Sequence, residues 1–325
     1  MKSIKIKNKY QNLQQIKMEM SVDKAKNMLK DYAKKEQRVP PVELPTKEID
    51  SALFESGDSV VWLGHSTILA RIDGINIIVD PMFSHRASPV NFVGPKRFEG
   101  SLIDVETLPN IDIILITHNH YDHMDKSSIL YLHEKVKKIF IPLDNKETLK
   151  CWGVETEKIV EFDWGDEHQL DHTSFILAPT QHFSGRGLTD RDLALWGSWV
   201  IKGIESSLYV SGDSGYNTHF AEISKAYGEF DLVCMECGAY NDSWSEVHMR
   251  PEESVQAAID LKAKVMLPMH WAGFNLSTHA WDEPIQRALS HSSKLSQQTT
   301  TPMIGEVVAL HQEYPQTKWW EDVRS

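Results

Sequence analysis

Four residues able to bind a metal ion fall within six positions: His118, His120, Asp122 and His123, in the stretch Thr117-His118-Asn119-His120-Tyr121-Asp122-His123-Met124-Asp125. Imidazoles together with a carboxylate suit zinc or a similar first-row ion. Adjacent Asp122 and His123 need not point at the ion that takes His118 and His120, so two ions are expected. The chain has 15 histidines, so a lone pair at i, i+2 would carry little weight on a solvated loop. Four ligands in six residues, directly after an apolar run, outweigh chance and read as the floor of a dinuclear metal site.

The run ahead of them, Ile111 to Ile116, is apolar except for Asp112. It is too short for a membrane helix and rich in β-branched residues, which predicts a buried strand. A strand that stops in a polar loop is how α/β proteins hold chemistry on a rigid base. The same pattern recurs three times. Thr173 to Ala178 runs on toward His182, Leu208 to Val210 toward Asp213, and Val265 to Met269 ends at His270. Seven candidate ligands therefore sit at four strand ends and can converge on one face of a sheet core.

Further strands are expected at Val60 to Leu63, Thr67 to Ile72, Ile75 to Val79, Ile139 to Pro142, Ile159 to Phe162, Trp196 to Lys202, Asp231 to Glu236 and Val307 to Leu310. Asp73-Gly74 is a hairpin turn signal between two of them. Helices are expected over 126–134, up to about Cys151, over 217–227 and over 251–261. The last has Pro251 at its start and Glu252 and Glu253 in its first turn, where they favour the helix dipole. The Ser/Gln/Thr-rich run 290–301 reads as a flexible surface connection. The segment Phe83 to Phe98 mixes Arg86, Lys96 and Arg97 with apolar residues. It suits either a substrate with a tail and an anionic head or a packed surface loop.

At 325 residues, with 41% hydrophobic and 25% charged content, the chain can bury an ample core as a globular protein. Its net charge of −12 is uneven. Residues 1–39 carry eleven lysines and arginines against four acids, a local +7, which leaves −19 on the remainder. An acidic body argues against nucleic acid as a partner. The basic arm reads as a solvated tail, with contact to anionic lipid as the alternative. Met18, Val22, Ala25, Leu29 and Tyr32 recur at helical spacing, predicting an amphipathic helix over 18–36, and Arg38 to Pro45 is a proline-rich linker. The expected division is a basic helical extension with linker, 1–50, and one catalytic domain, 51–325. Cys151, Cys234 and Cys237 give no disulfide framework, and the pair at i, i+3 is expected to be buried filler. No secretory signal or membrane span is read, so the cytoplasm is expected, with peripheral membrane contact open. A symmetric dimer is the default.

The whole pattern resembles the metallo-β-lactamase superfamily of hydrolases, whose HxHxDH motif corresponds to His118 to His123. Gly64-His65-Ser66-Thr67, Asp80-Pro81, Gly94-Pro95-Lys96-Arg97-Phe98, Leu195-Trp196-Gly197-Ser198-Trp199, Gly212-Asp213, Gly238-Ala239-Tyr240 and His270-Trp271 extend the likeness to the branch of N-acylphosphatidylethanolamine-hydrolysing phospholipase D. The likeness covers about residues 55 to 290 and does not include the N-terminal region. It implies an αββα sandwich with His118, His120 and His182 on one ion, Asp122, His123 and His270 on the other, and Asp213 bridging. The implied cofactor is two divalent metal ions, zinc foremost, with manganese or iron as alternatives. The implied activity is phosphodiester hydrolysis of N-acylphosphatidylethanolamine-like phospholipids by a metal-bridging hydroxide, with Asp122 and Asp213 at the reacting centre. His248 aligns with a family histidine near the substrate head group. Asp80 and Asp125 are placed to accept hydrogen bonds from metal-bound imidazoles. His65 is either a site residue or a turn histidine, and Arg186 either meets a phosphate or faces solvent. The rival readings are a lactonase or other ester hydrolase of the same superfamily, including the sugar-phosphate lactonase branch, and a non-catalytic metal-binding scaffold.

Overall fold

Alternating apolar runs and polar turns build two sheets and the helices that cover them. A computed structural model of the chain describes residues 2–16, 30–31, 33, 37–101 and 103–324. It opens with a hairpin of β1 (Ile4–Ile6) and β2 (Lys9–Gln11). Then β3 (Ser59–Trp62), β4 (Ile68–Ile72), β5 (Ile75–Val79), β6 (Ile113–Leu115), β7 (Lys138–Pro142) and β8 (Ile159–Phe162) form one sheet, joined at its edge by the last strand, β15 (Val307–Ala309). Its order is β15-β3-β4-β5-β6-β7-β8. The second sheet holds β9 (Glu167–Leu170), β10 (Thr173–Ala178), β11 (Ser198–Lys202), β12 (Ser207–Val210), β13 (Phe230–Glu236) and β14 (Ala263–Met269), in the order β14-β13-β12-β11-β10-β9.

The sheets pack face to face. Trp199 of β11 meets Phe162 of β8 with ring centres 5.0 Å apart, and Phe175 of β10 meets Phe140 of β7 at 5.3 Å. The helices are α1 (Ser51–Glu55), α2 (Lys126–Leu132), α3 (Lys146–Trp152), α4 (His219–Tyr227), α5 (Pro251–Asp260), α6 (Glu283–Leu295) and α7 (Trp319–Arg324). Phe220 of α4, Val255 and Ala258 of α5 and Ala288 of α6 pack with Tyr209, Val233 and Met266 in a second apolar layer. The result is the expected αββα sandwich. Strands covered on both faces need no alternation, and every residue of β5 and of β13 is buried.

Strand direction then places the chemistry. β5 to β8 run parallel, as do β12 to β14. β10 points the same way as β12 because two antiparallel pairings separate them. Asp80, the His118–His123 loop, His182, Asp213, Glu236 and His270 therefore all follow or end strands at one edge.

Some expectations change. The run 290–301 is no flexible connection. Its first six residues complete α6, and beyond them Met266 N donates to Gln298 O and Thr300 N to Met266 O, while Thr299 to Thr301 are buried. The hydroxyls that made it look like a linker are satisfied inside, as Thr299 Oγ1 is by Ser292 Oγ at 2.9 Å. Residues 2–12 are not a solvated tail either. Tyr10 is buried and donates from its hydroxyl to Asp144 at 2.6 Å, and Lys2 and Lys5 pair with Asp166 and Asp144. The apolar stripe from Met18 to Tyr32 lies outside the described residues. In the loop 83–98, Arg86 donates to Asn91 O and Gly94 O, and buried Arg97 donates to Ser84 O, Ser101 O and Met82 O. Those two arginines tie the loop together, leaving Phe92 and Val93 exposed. Cys234 and Cys237 are buried free thiols. Among the described residues, no helix is long and apolar enough to cross a membrane.

Candidate metal centre

The site begins with Asp80, which leaves β5 at a φ of +46° and is fully buried. One carboxylate oxygen accepts from Thr117 N at 2.8 Å, and the other from Thr117 Oγ1 at 2.6 Å and from the Nδ1 side of His123 at 2.7 Å. A carboxylate only accepts, so His123 donates from Nδ1 and turns Nε2 toward the site. The Thr117 hydroxyl spends its proton on Asp80 and so accepts from His118 Nδ1 at 3.0 Å. His118 too presents Nε2. The third case is His182, whose Nδ1 donates to Val247 O at 3.0 Å. Each ring is thereby fixed in the tautomer a metal needs.

These nitrogens converge. His118 Nε2 and His182 Nε2 lie 2.9 and 3.2 Å from His120 Nδ1, and His123 Nε2 lies 3.2 Å from His270 Nε2. Ring nitrogens held this close need a proton or a cation between them. Zinc–nitrogen bonds of about 2.05 Å give tetrahedral edges near ~3.3 Å, close to these spacings. Asp213 Oδ1 and His270 Nδ1 are also buried without a hydrogen-bond partner. Among the described residues, His118, His120, His182 and Asp213 form one group able to hold a metal ion, and His65, Asp122, His123 and His270 form another. The donor types, buried geometry and orphaned oxygen all fit a metal.

Burial holds the imidazoles of His118 and His182 well below the ordinary histidine range and lowers His120 to about 4, so all three are neutral. Burial alone would raise Asp122 and Asp213, but the surrounding imidazoles, His123 foremost, hold both well below the usual carboxylate range. Burial also opposes charge on His123, yet Asp213, Asp122 and Asp80 outweigh it and hold this imidazole well above its usual value. A cation taking Nε2 displaces that proton, which couples metal uptake to pH.

His65 belongs to the site: it is buried, with Nε2 3.0 Å from Asp122 Oδ2. It and His270 take left-handed φ values of +50° and +67°, backbone strain of the kind that clusters at functional sites. Gly212 turns the chain into Asp213 at φ +57°, and a Cβ there would lie 2.8 Å from Thr117 Cβ. Asp125 is a correction, because it serves no imidazole. It caps α2 by accepting from Ser128 N at 3.1 Å and takes a hydrogen bond from Ser84 Oγ. Arg186 is not free in solvent. Its Nη1 donates to Asn119 O and Met124 O at 2.8 Å, and its guanidinium lies over the Tyr121 ring, strapping the ligand loop.

Glu236, the last residue of β13, is the site residue that sequence reasoning missed. It is fully buried. One oxygen accepts from Ser214 N and Met249 N at 2.8 and 3.2 Å, and the other lies 2.9 Å from His248 Nδ1. His248 Nε2 then faces Asp213 Oδ2 at 3.9 Å. Burial opposes charge on His248, but Glu236 and Asp213 raise it to about 9. Asp213, Glu236, His248 and His270 also cluster closely enough to hold a metal. With Glu236 committed to backbone N–H groups and His248, an ion pair is the better description. His120, Asp122 and His248 are only partly buried and frame the solvent side of the site.

A model of the β-lactamase superfamily domain matches residues 75–271. Over 250 residues the chain is 32% identical to N-acyl-phosphatidylethanolamine-hydrolyzing phospholipase D 1 of Caenorhabditis elegans, a match covering 72% of this chain and 70% of that one. It is 37% identical over 266 residues to an uncharacterized protein of Mycobacterium tuberculosis, covering 81% of this chain and 71% of that one. Among solved structures, isothiocyanate hydrolase from Delia radicum gut bacteria superposes with a TM-score of 0.60 at 20% identity, covering 78% of this chain and 99% of that one. At that identity the likeness speaks for the fold. With ligand-bearing loops along one edge of a two-sheet core, the chain belongs to the β-lactamase superfamily of metal-dependent hydrolases.

Proposed function

We propose that this hydrolase is a dinuclear phosphodiesterase of phospholipase D type, acting on N-acylphosphatidylethanolamine-like phospholipids. The carrying observation is the Asp213 carboxylate. Its Oδ2 lies 3.7 Å from both His118 Nε2 and His182 Nε2, while its Oδ1 lies 3.2 and 3.1 Å from His123 Nε2 and His270 Nε2. One oxygen thus faces each group. An anion between two cations held roughly 3.5–4 Å apart offsets their repulsion. His118, His120 and His182 would hold one ion and Asp122, His123 and His270 the other, with zinc the best fit to the donors and manganese or iron acceptable. When bound, the pair supplies Lewis acidity toward a phosphoryl oxygen and acidifies water.

The chain's own residues do the remaining work. His65 donates to Asp122 and fixes that carboxylate against His123 and His270. Asp80 and Thr117 hold the imidazoles in their ligating tautomers. His248, charged at neutral pH and oriented by Glu236, offers the Nε2 proton to the departing alkoxide oxygen. For the substrate class, two features support the reading. The relative from Caenorhabditis elegans carries this activity in its name, and a second, from Saccharomyces cerevisiae, does so at 31% identity over 240 residues. Phe92, 83% exposed, and fully exposed Leu188 also stand on loops that follow β5, which ends at Asp80, and β10, which leads to His182, where an acyl chain could meet them.

Phosphorus NMR tests the reading. Metal-loaded protein incubated with N-acylphosphatidylethanolamine is expected to produce a phosphatidic acid signal. An unchanged phosphorus spectrum, from protein that opens a lactone under the same conditions, would replace this substrate with a carbonyl one.

A further inference from the structure

Among the described residues, His182 is a candidate ligand whose main chain is gripped by the N-terminal segment, far outside the family-matched region. Asn12 Nδ2 donates to His182 O at 2.7 Å, and His182 N donates to Asn12 Oδ1 at 2.9 Å. One side-chain amide thus pairs with both polar groups of the ligand's backbone, as a neighbouring strand would. Among the described residues, 180–184 form no strand with another segment, so this pairing replaces a ladder that the turn after β10 lacks.

The amide is held where it must be. Asn12 follows a hairpin whose turn residues, Lys7 and Asn8, both take positive φ, +50° and +66°, the signature of a tight turn matched to strand twist. The hairpin is fastened to the core at several points. Ser3 N donates to Asp163 Oδ1 at 3.0 Å, Tyr10 OH to Asp144 Oδ2 at 2.6 Å, and Tyr10 N to Asp192 O at 2.8 Å. Asp192 N in turn donates to Ser184 O at 3.0 Å, which closes the loop beyond His182. Both sides of the ligand are therefore tied to the first twelve residues, while the superfamily match spans 75–271.

We infer that the N-terminal hairpin is a built-in clamp on the metal centre, with Asn12 as a positioning residue for His182. The Val247 carbonyl fixes the ring, and Asn12 fixes the peptide that carries it. Without the amide, the turn gains freedom that must be lost again whenever the imidazole binds its ion. The inference rests on His182 being a ligand, so His182→Ala serves as the reference.

The test is zinc affinity of the full chain by chelator competition, with the Co2+ absorption spectrum as a second readout. Asn12→Ala is expected to weaken one ion about 10–100-fold, the usual cost of removing support behind a ligand, while the other ion is unaffected. The visible Co2+ band of the weakened site should shift, which a loss of stability elsewhere would not cause. Asn12→Asp keeps the shape and the acceptor for His182 N but sets an anionic oxygen against His182 O. It should weaken the same ion and settles the question if Asn12→Ala does not fold. If both folded variants bind both ions within twofold of the unmodified chain while His182→Ala loses one, the clamp is refuted. If His182→Ala itself changes nothing, the ligand assignment falls, and the clamp with it.

Discussion

Asp213→Asn is expected to lower phosphodiester turnover by at least about a thousandfold, the upper range for removing one preorganised electrostatic group, with the fold intact. The reason lies in what replaces the second oxygen. Asp213 is 3% exposed, with an oxygen 3.1–3.7 Å from ligand nitrogens of both groups. An amide keeps one oxygen but loses the charge that two cations would share in the proposed centre. Its NH2 would donate to the ring nitrogens that ought to bind an ion, occupying lone pairs that the Asp80 and Val247 contacts prepare. Turnover and metal content should therefore fall together, measured by steady-state kinetics and elemental analysis on the same preparation. A variant retaining a tenth of the activity with full metal content would show that the carboxylate does not bridge.

His248→Ala is expected to lower kcat about 10²–10⁴-fold, the range for a general acid, while metal content stays near that of the unmodified chain. The pH profile carries the sign. Because the pKa is raised to about 9, the proton is held below that pH and lost above it, so kcat should fall as pH rises through about 9. The alanine variant should lack this limb, and Glu236→Gln should shift it lower by removing the charge that raises the imidazole most. Stability follows the same direction. The pair's contribution is present below the unfolded histidine value and lost as pH rises through about 9. A phosphodiester with a nitrophenol leaving group needs little protonation and should suffer much less in His248→Ala. Equal losses on both substrates would assign His248 to binding rather than proton transfer.

Much of this site was legible because metal ligation demands particular residue types and strands leave a strong apolar signature. The cluster from His118 to His123 stands after β6, and His182, Asp213 and His270 each follow a run the sequence marks as a strand. Asp80 was legible as an imidazole partner because it ends β5 beside that cluster. Glu236 was not, because an acidic residue closing an apolar strand usually meets solvent. The available signal was its place at the same edge as Asp213 and His270, twelve residues before a histidine. Asp125 misled for the opposite reason. Nearness to the ligands suggested an imidazole partner, whereas an aspartate three residues ahead of Ser128 at a helix start is first a cap. The hairpin of residues 4–11 was hidden by its composition. Ile4 and Ile6 face solvent, and lysines bonded to the half-exposed Asp166 and Asp144 supply attachment that apolar patterning does not register. In α7 the pair Trp319-Trp320 packs with Trp62 and Trp271, contacts between residues 48 to 257 positions apart that no local pattern encodes.

The most direct test of the account is a count of metal ions per chain by native mass spectrometry, after zinc loading, for the unmodified protein, His182→Ala and His270→Ala. The two proposed ligands belong to different side-chain groups, each facing the Asp213 carboxylate. The account predicts two ions in the unmodified chain and one in each variant, with the retained ion differing in chelator resistance between them. A single ion in the unmodified chain, or an unchanged count in both variants, would contradict it.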